Sequence, residues 1–145
     1  MFFGQLVRSC YEDNRLAVPA KLGSSLVSPI VVTQGFDRNI LVMPDDVFEK
    51  FIRLLMNLNV ADPLTRRLQR LLIGNATYCE IDKNGMIVLP AGLRQMAGIT
   101  SEAVWVGQGT YMEIWSQESW RQQEFELQDF ISNTQRFASL NIAGL

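Results

Sequence analysis

Leu16-Ala17-Val18-Pro19-Ala20-Lys21-Leu22 returns 71 residues later as Ile87-Val88-Leu89-Pro90-Ala91-Gly92-Leu93, with its apolar, proline, alanine and leucine positions in register. Farther along, residues 32–35 (Val-Thr-Gln-Gly) lie over residues 104–107 (Val-Trp-Val-Gly) and Phe48 over Trp120, now at an offset of 72, so one residue has been inserted between the blocks. Self-similarity at a fixed period marks copies of one supersecondary unit. Two copies are expected, joined by residues 45–74.

Each copy reads alike. A strand, residues 5–10 or 76–81, enters a polar turn, Tyr11-Glu12-Asp13-Asn14 or Asp82-Lys83-Asn84-Gly85, and a short apolar strand leaves it and ends at Pro19 or Pro90. Apolar runs bounded by Asn, Asp and Gly are strand and turn signals. Asn84-Gly85 is a hairpin dipeptide because both residues tolerate positive φ. Proline suits the first turn of a helix, where its missing N–H costs nothing, so residues 19–26 and 90–97 are expected as short helices, the second ended by Gly98. Two strands follow in each copy, residues 29–35 with 40–43 and 103–107 with 111–115, linked by tight loops at 36–39 and 108–110. The unit is β-β-α-β-β.

Outside the units, Val47, Phe51, Leu54 and Leu58, with Phe48, Ile52 and Leu55, fall at helical spacing behind Asp45 or Asp46 as opener. A second helix is capped by Asp62, has Pro63 at its first position, carries an apolar stripe of Leu64, Leu68, Leu71 and Leu72, and stops at Gly74. Trp120, Leu127 and Ile131, with Phe130 beside them, define one terminal helix, and residues 132–145 read as a loosely ordered tail. Apolar stripes on three helices exceed what two small β units need for cover, which predicts burial between subunits.

The 145 residues, 48% hydrophobic and 19% charged, are those of a chain that folds around a core. Histidine is absent from the sequence, which excludes Ser-His-Asp and Cys-His catalysis and His-ligated zinc or haem. Cys10 and Cys79 have no CxxC spacing and read as reduced thiols of a cytosolic protein, with a single bridge as the lesser alternative. The acidic pairs Glu12-Asp13 and Asp45-Asp46 are turn and helix-start chemistry, and Gly107-Gln108-Gly109 lacks the third glycine of a phosphate loop. No catalytic residue, metal or cofactor is expected. Gln5 and Arg8 interrupt the apolar N-terminus, so it does not read as a signal peptide. No apolar run is long enough to span a bilayer, and the expected location is the cytoplasm. A net charge of −2 gives no global attraction to nucleic acid, so a DNA-binding role needs local cations.

The motif Arg15-Leu16-Ala17-Val18-Pro19, the stretch Arg66-Arg67-Leu68-Gln69-Arg70-Leu71-Leu72-Ile73-Gly74-Asn75-Ala76 and the run Pro90-Ala91-Gly92-Leu93-Arg94-Gln95-Met96-Ala97-Gly98-Ile99 together resemble the MraZ family, over nearly the whole chain. The resemblance implies an α+β fold of two tandem AbrB/SpoVT-like β-β-α-β-β units, interleaved as a swapped-hairpin β-barrel with flanking helices. Residues 1–60 would form the first unit, 61–75 a connecting helix, 76–131 the second unit and 132–145 the tail. It further implies a non-enzymatic, sequence-specific transcriptional regulator of the bacterial division and cell-wall gene cluster. Such a protein binds double-stranded DNA at promoter repeats, assembles with itself into rings and is associated with the nucleoid.

That family carries an Asp-x-x-x-Arg motif in each half, and this sequence departs from it twice. Tyr11 stands in the Asp place while Arg15 is kept; Asp82 is kept while Met86 stands in the Arg place. Arg15 is the first candidate for DNA, since its fork of donors matches a phosphate or the O6/N7 edge of guanine. Lys21, Arg38 and Lys83 are further candidates. If the two turns meet, Asp82 and Arg15 are expected to form one contact across the halves. Arg66, Arg67 and Arg70 share one helix face opposite the leucines, and three like charges there call for an anionic partner. In this family that position suggests a subunit interface ahead of DNA. Phe48, Trp115 and Trp120 are expected in the core or an interface. Two other readings stay open: a ring-forming structural relative that has lost DNA binding, and an antitoxin-like module whose tail wraps a protein partner.

Overall fold

The computed structural model describes residues 1–20 and 26–142. Of the helix expected over residues 19–26, residues 21–25, Lys21 among them, fall outside the described residues, and Pro19, Ala20 and Leu26 at its ends are not helical. Along the chain come β1 (Gln5–Ser9), β2 (Arg15–Ala17), β3 (Ile30–Gln34), β4 (Ile40–Pro44), α1 (Asp45–Met56), α2 (Pro63–Leu72), β5 (Thr77–Cys79), β6 (Met86–Val88), α3 (Ala91–Ala97), β7 (Glu102–Gly107), β8 (Met112–Ser116), α4 (Gln117–Leu127) and α5 (Phe130–Phe137), followed by a 3-10 turn at Ala138–Leu140.

The strands form an antiparallel six-stranded sheet in the order β1-β7-β8-β4-β3-β5 and a two-stranded ribbon, β2-β6. The interleaving expected of this α+β fold is visible in the partners. Strand β1 pairs with β7, Gln5 opposite Val106 and Ser9 opposite Glu102. Strand β5 pairs with β3, Ile30 opposite Cys79. The first strand of each half thus completes the sheet of the other.

Strand periodicity sorts the side chains onto two faces. On the inner face Ile30, Val32, Ile40, Val42, Ala103, Trp105, Met112 and Ile114 form one core with Leu16 of β2, Ile87 of β6 and Leu93 and Ala97 of α3. Leu16 and Ile87 are fully buried, and each contributes roughly 1.5–3 kcal/mol to holding the ribbon against the sheet. On the outer face Val31, Leu41 and Met43 pack against Phe48 and Leu55 of α1 and Leu72 of α2. Val104, Val106 and Trp115 pack against Trp120 of α4. Phe48 and Trp120, aligned in the sequence, are 6% and 8% exposed, and the Trp115 and Trp120 rings tilt at 57° with centroids 5.6 Å apart.

Helix α3 starts behind Pro90 and ends at Gly98, whose φ of 68° is the left-handed conformation glycine adopts without a Cβ penalty. At α2 Asp62 accepts the Leu64 N–H and Pro63 holds the first position. Other expectations are corrected. Pro44 stands at the N-cap of α1, and Asp45 and Asp46 lie in its first turn, where their charges favour the helix dipole without capping it. Leu64 is 66% exposed and Leu54 and Leu58 are also exposed, whereas Thr65 is buried and donates its place on α2 to the packed face. The single terminal helix is two: the chain breaks after α4, and Asp129 caps α5 by accepting the Ser132 N–H. Residues 132–140, expected as loose tail, are helical or 3-10. Leu127, Phe130 and Ile131 do not bury in the chain, Ile131 being 80% exposed.

Candidate nucleic-acid interface

The ribbon places Arg15 opposite Val88, Leu16 opposite Ile87 and Ala17 opposite Met86. Leu16 and Ile87 point inward, so Arg15, Val88, Ala17 and Met86 share the outer face, with Arg15 and Met86 at opposite ends. Each strand is entered through one polar turn, and the two backbones match. The Tyr11 N–H donates to the Arg15 carbonyl at 2.9 Å and the Asn14 N–H to the Tyr11 carbonyl at 3.0 Å; the Asp82 N–H donates to Met86 at 2.8 Å and the Gly85 N–H to Asp82 at 2.9 Å. Asn14 and Gly85 both take positive φ, 66° and 75°, for which those residue types are suited. The turns also hold one another reciprocally. The Val18 N–H donates to the Gly85 carbonyl at 2.9 Å and the Leu89 N–H to the Asn14 carbonyl at 2.8 Å, each the other's counterpart at the offset of 71.

Their side chains differ. Asp82 Oδ1 accepts the N–H groups of Asn84 at 2.8 Å and Met86 at 3.0 Å, which closes the second turn on itself. Tyr11 has no carboxylate to do this. Asp13 substitutes from two places along: its Oδ1 accepts the Arg15 N–H at 3.2 Å and its Oδ2 pairs with Arg15 Nε at 2.9 Å. The Arg15 side chain is 47% exposed to water. The Asp82–Arg15 contact expected from the sequence is not made, because each group is engaged by its own turn. The role of Asp13 was missed in the sequence, where it read only as turn chemistry; a carboxylate two residues before a cation was the available signal.

Lys83 is exposed at the tip of the second turn, and Met86 is half-buried beside Ala17. Arg38 is exposed in the β3–β4 loop with φ of 57°. It lies beyond Gln34, at the end of β3 away from Ile30 and Cys79, from which the chain leaves for the second turn. The structure therefore separates Arg38 from Arg15. On α2 Arg66 folds back and donates to the carbonyls of Val60 and Ala61, both at 3.0 Å, while Arg67 and Arg70 are exposed and no carboxylate pairs with them among the described residues. Cys10, just before the first turn, and Cys79 are free and buried. Burial pushes the Cys10 thiol above its ordinary value, with the Arg94 charge working against the shift; burial likewise raises Cys79. Both are held as protonated thiols, poor as nucleophiles. Among the described residues no cluster of His, Cys, Asp and Glu is arranged to hold a metal ion, and no helix is long and apolar enough to cross a membrane.

Comparison with known proteins bears on what such a ribbon does. The model of the family described as "MraZ protein, putative antitoxin-like" matches residues 72–140. A protein named Transcriptional regulator MraZ from Herpetosiphon aurantiacus is 40% identical over 121 residues, 83% of this chain and 85% of that one. Its namesake from Thermomicrobium roseum is 36% identical over 141 residues, 97% and 99% of the two chains. That from Nitrosospira multiformis is 40% identical over 127 residues, 85% and 86%.

Proposed function

The chain belongs to the MraZ family, and we propose that it is a sequence-specific, DNA-binding transcriptional regulator that presents the outer face of the β2–β6 ribbon to double-stranded DNA. The observation that carries this reading is the ribbon itself. A two-stranded antiparallel ribbon fits the major groove, its inner side is anchored by Leu16 and Ile87, and its outer side holds the exposed Arg15. Arg15 would reach a guanine edge or a phosphate, and Lys83 a phosphate at the other end; Arg38, at the far end of the sheet, is set aside. Each half of the chain acts as one AbrB/SpoVT-like unit, residues 1–60 and 76–131, with residues 61–75 connecting them.

Two cations per ribbon, Arg15 and Lys83, bind weakly in a chain of net charge −2. Several ribbons held in one assembly bind tightly, because every contact after the first is intramolecular. The exposed Phe125, Phe130, Ile131 and Phe137 of α4 and α5 supply an apolar surface for self-association into a ring, and Arg67 and Arg70 meet carboxylates of a neighbouring subunit. The sites bound would be promoter repeats upstream of the division and cell-wall genes, in the cytoplasm at the nucleoid.

The test is an electrophoretic mobility assay with a duplex from the chain's own upstream region, at two salt concentrations, beside an unrelated duplex of equal length. A shift confined to the upstream duplex and weakened by salt is expected. No shift at low salt, or equal shifts of both duplexes, sinks the proposal in favour of a ring-forming relative without DNA binding.

A further inference from the structure

Arg94 lies on α3, in the second half, yet its guanidinium reaches the turn of the first. Its Nη1 donates to the Tyr11 carbonyl at 2.6 Å and to Asn14 Oδ1 at 3.0 Å. Its Nε donates to the Ile99 carbonyl at 3.1 Å, and Nη2 donates to the carbonyl of Thr100. Resting on the DNA-binding reading above, we propose that Arg94 is a positioning residue: it pre-forms the turn that presents Arg15, a clamp with no counterpart at the second turn among the described residues.

The chemistry requires arginine. Four acceptors on two separate pieces of chain are gathered by one planar fork, which a lysine ammonium cannot span. Gly98 reverses the chain at the end of α3, and the Ile99 N–H donates back to the Arg94 carbonyl, so residues 99 and 100 curl around the guanidinium. The Cys10 N–H donates to the Ser101 carbonyl at 2.8 Å, which ties the start of the first turn to the same loop. All four acceptors are neutral, so the guanidinium spends its donors on geometry and keeps its charge beneath the turn.

The asymmetry between the halves points the same way. The second turn is closed by Asp82, which accepts two of its N–H groups; in the first, Asp13 accepts only the Arg15 N–H, and Arg94 adds a hold from outside by donating to the Tyr11 carbonyl and Asn14 Oδ1. At the offset of 71 the residue corresponding to Arg94 is Gly23, which has no side chain to offer the second turn. Among the described residues the clamp is found only at the turn that leads into Arg15. A turn already shaped before DNA arrives does not lose its conformational freedom on binding, and affinity rises accordingly.

The experiment compares Arg94→Gln, Arg94→Lys and Asn14→Gly with the wild type and Arg15→Ala in the full-length chain. Two quantities are read: amide hydrogen exchange of residues 11–15 and 82–86 without DNA, and affinity for the upstream duplex over a series of salt concentrations. Arg94→Gln should accelerate exchange at residues 11–15 alone and weaken binding roughly tenfold, with the salt slope of the wild type, because Arg94 touches no phosphate. Arg94→Lys should behave like Arg94→Gln. Asn14→Gly keeps the positive φ, removes one acceptor and should give a smaller loss with the same slope. Arg15→Ala should instead flatten the slope.

Unchanged exchange at residues 11–15 in Arg94→Gln overturns the clamp. A flattened slope in that variant makes Arg94 a direct phosphate contact, and rescue by lysine makes it a bare charge; either also overturns the proposal. Should Arg94→Gln melt below the assay temperature, wild-type exchange and affinity in Asn14→Gly are the overturning result. If Arg15→Ala binds DNA like the wild type, the DNA reading falls, and the exchange data still decide the clamp.

Discussion

In the first turn the carboxylate sits third, at Asp13, and a cation follows it at Arg15; in the second the carboxylate sits first, at Asp82, and a thioether, Met86, stands where the cation would be. The backbones nevertheless match hydrogen bond for hydrogen bond. The two members of an Asp-x-x-x-Arg motif therefore do separable work. The aspartate shapes the turn by accepting backbone N–H groups, as Asp82 does twice, and the arginine is the member that, on our proposal, addresses DNA. A turn can lose its first-position aspartate if another carboxylate takes the N–H, and it can lose its arginine without losing shape.

Arg15→Ala breaks this division of labour most severely. It should weaken binding to the upstream duplex by roughly a hundredfold or more, since one bidentate contact is worth about 1–3 kcal/mol per subunit, while the melting temperature stays near that of the wild type. Met86→Arg tests whether the second turn faces the same ligand. Met86 is half-buried beside Ala17, so an arginine stem can lie along the ribbon with its head in water. Binding should tighten by roughly tenfold at low salt, and the slope of log affinity against log salt should steepen by about 0.9 for each subunit engaged. A folded variant with unchanged affinity and slope would show that the second turn points away from DNA.

Stability separates the two carboxylates. Asp82→Ala leaves two backbone N–H groups without their acceptor and should cost about 1–2 kcal/mol, read as a melting temperature lower by roughly 3–6 °C. Asp13→Ala frees one N–H from a longer bond, 3.2 Å, and should lower it by less. Equal losses would mean that Asp13 shapes its turn as fully as Asp82 does.

The smallest effect is expected far from both turns. Glu113 is buried between the β3–β4 and β7–β8 loops, where Asn39 Nδ2 donates to it at 2.5 Å and Gln108 Nε2 at 2.9 Å. Burial raises its carboxyl above the ordinary 4.5, against the pull of the Trp115, Gln108 and Asn39 hydrogen bonds. The folded state thus holds this proton more tightly than the unfolded chain. That contribution is fully present below pH 4.5 and is lost as pH rises through the raised value. Relative to Glu113→Gln, the wild-type melting temperature should fall across that window. DNA affinity at neutral pH should be the same for both, and a difference would couple the far loops to the ribbon.

Much of this was legible because local signals and tertiary packing agree. Pro90 and Gly98 bracket α3, Asp62-Pro63 opens α2, and the offset that pairs Phe48 with Trp120 puts both under helices on the outer face of the sheet. Local periodicity cannot say which strand another will choose. That the two halves interleave came from the family resemblance; that β1 pairs with β7 and β5 with β3 came from the structure alone. The break between α4 and α5 was hidden because Trp120, Leu127 and Ile131 continue one helical period straight across Asp129, whose cap on Ser132 restarts the helix. The substitution of Asp13 for the missing aspartate was hidden for another reason: whether a carboxylate meets an N–H two residues on depends on the curl of the turn, which composition does not encode. Leu64 misled because a leucine on the apolar stripe of α2 has no neighbour among the described residues to bury it.

The pairing of β1 with β7 also imposes a timetable. Gln5 finds its partner at Val106, so a chain made from its N-terminus at about 5–20 residues per second carries an unpaired first strand for roughly 5–20 s on the ribosome. Through that interval its N–H and C=O groups are open to any strand of matching register, including β7 of a chain growing on the same messenger. Slower translation thus lengthens the exposure of β1 whatever the free energy of the finished fold.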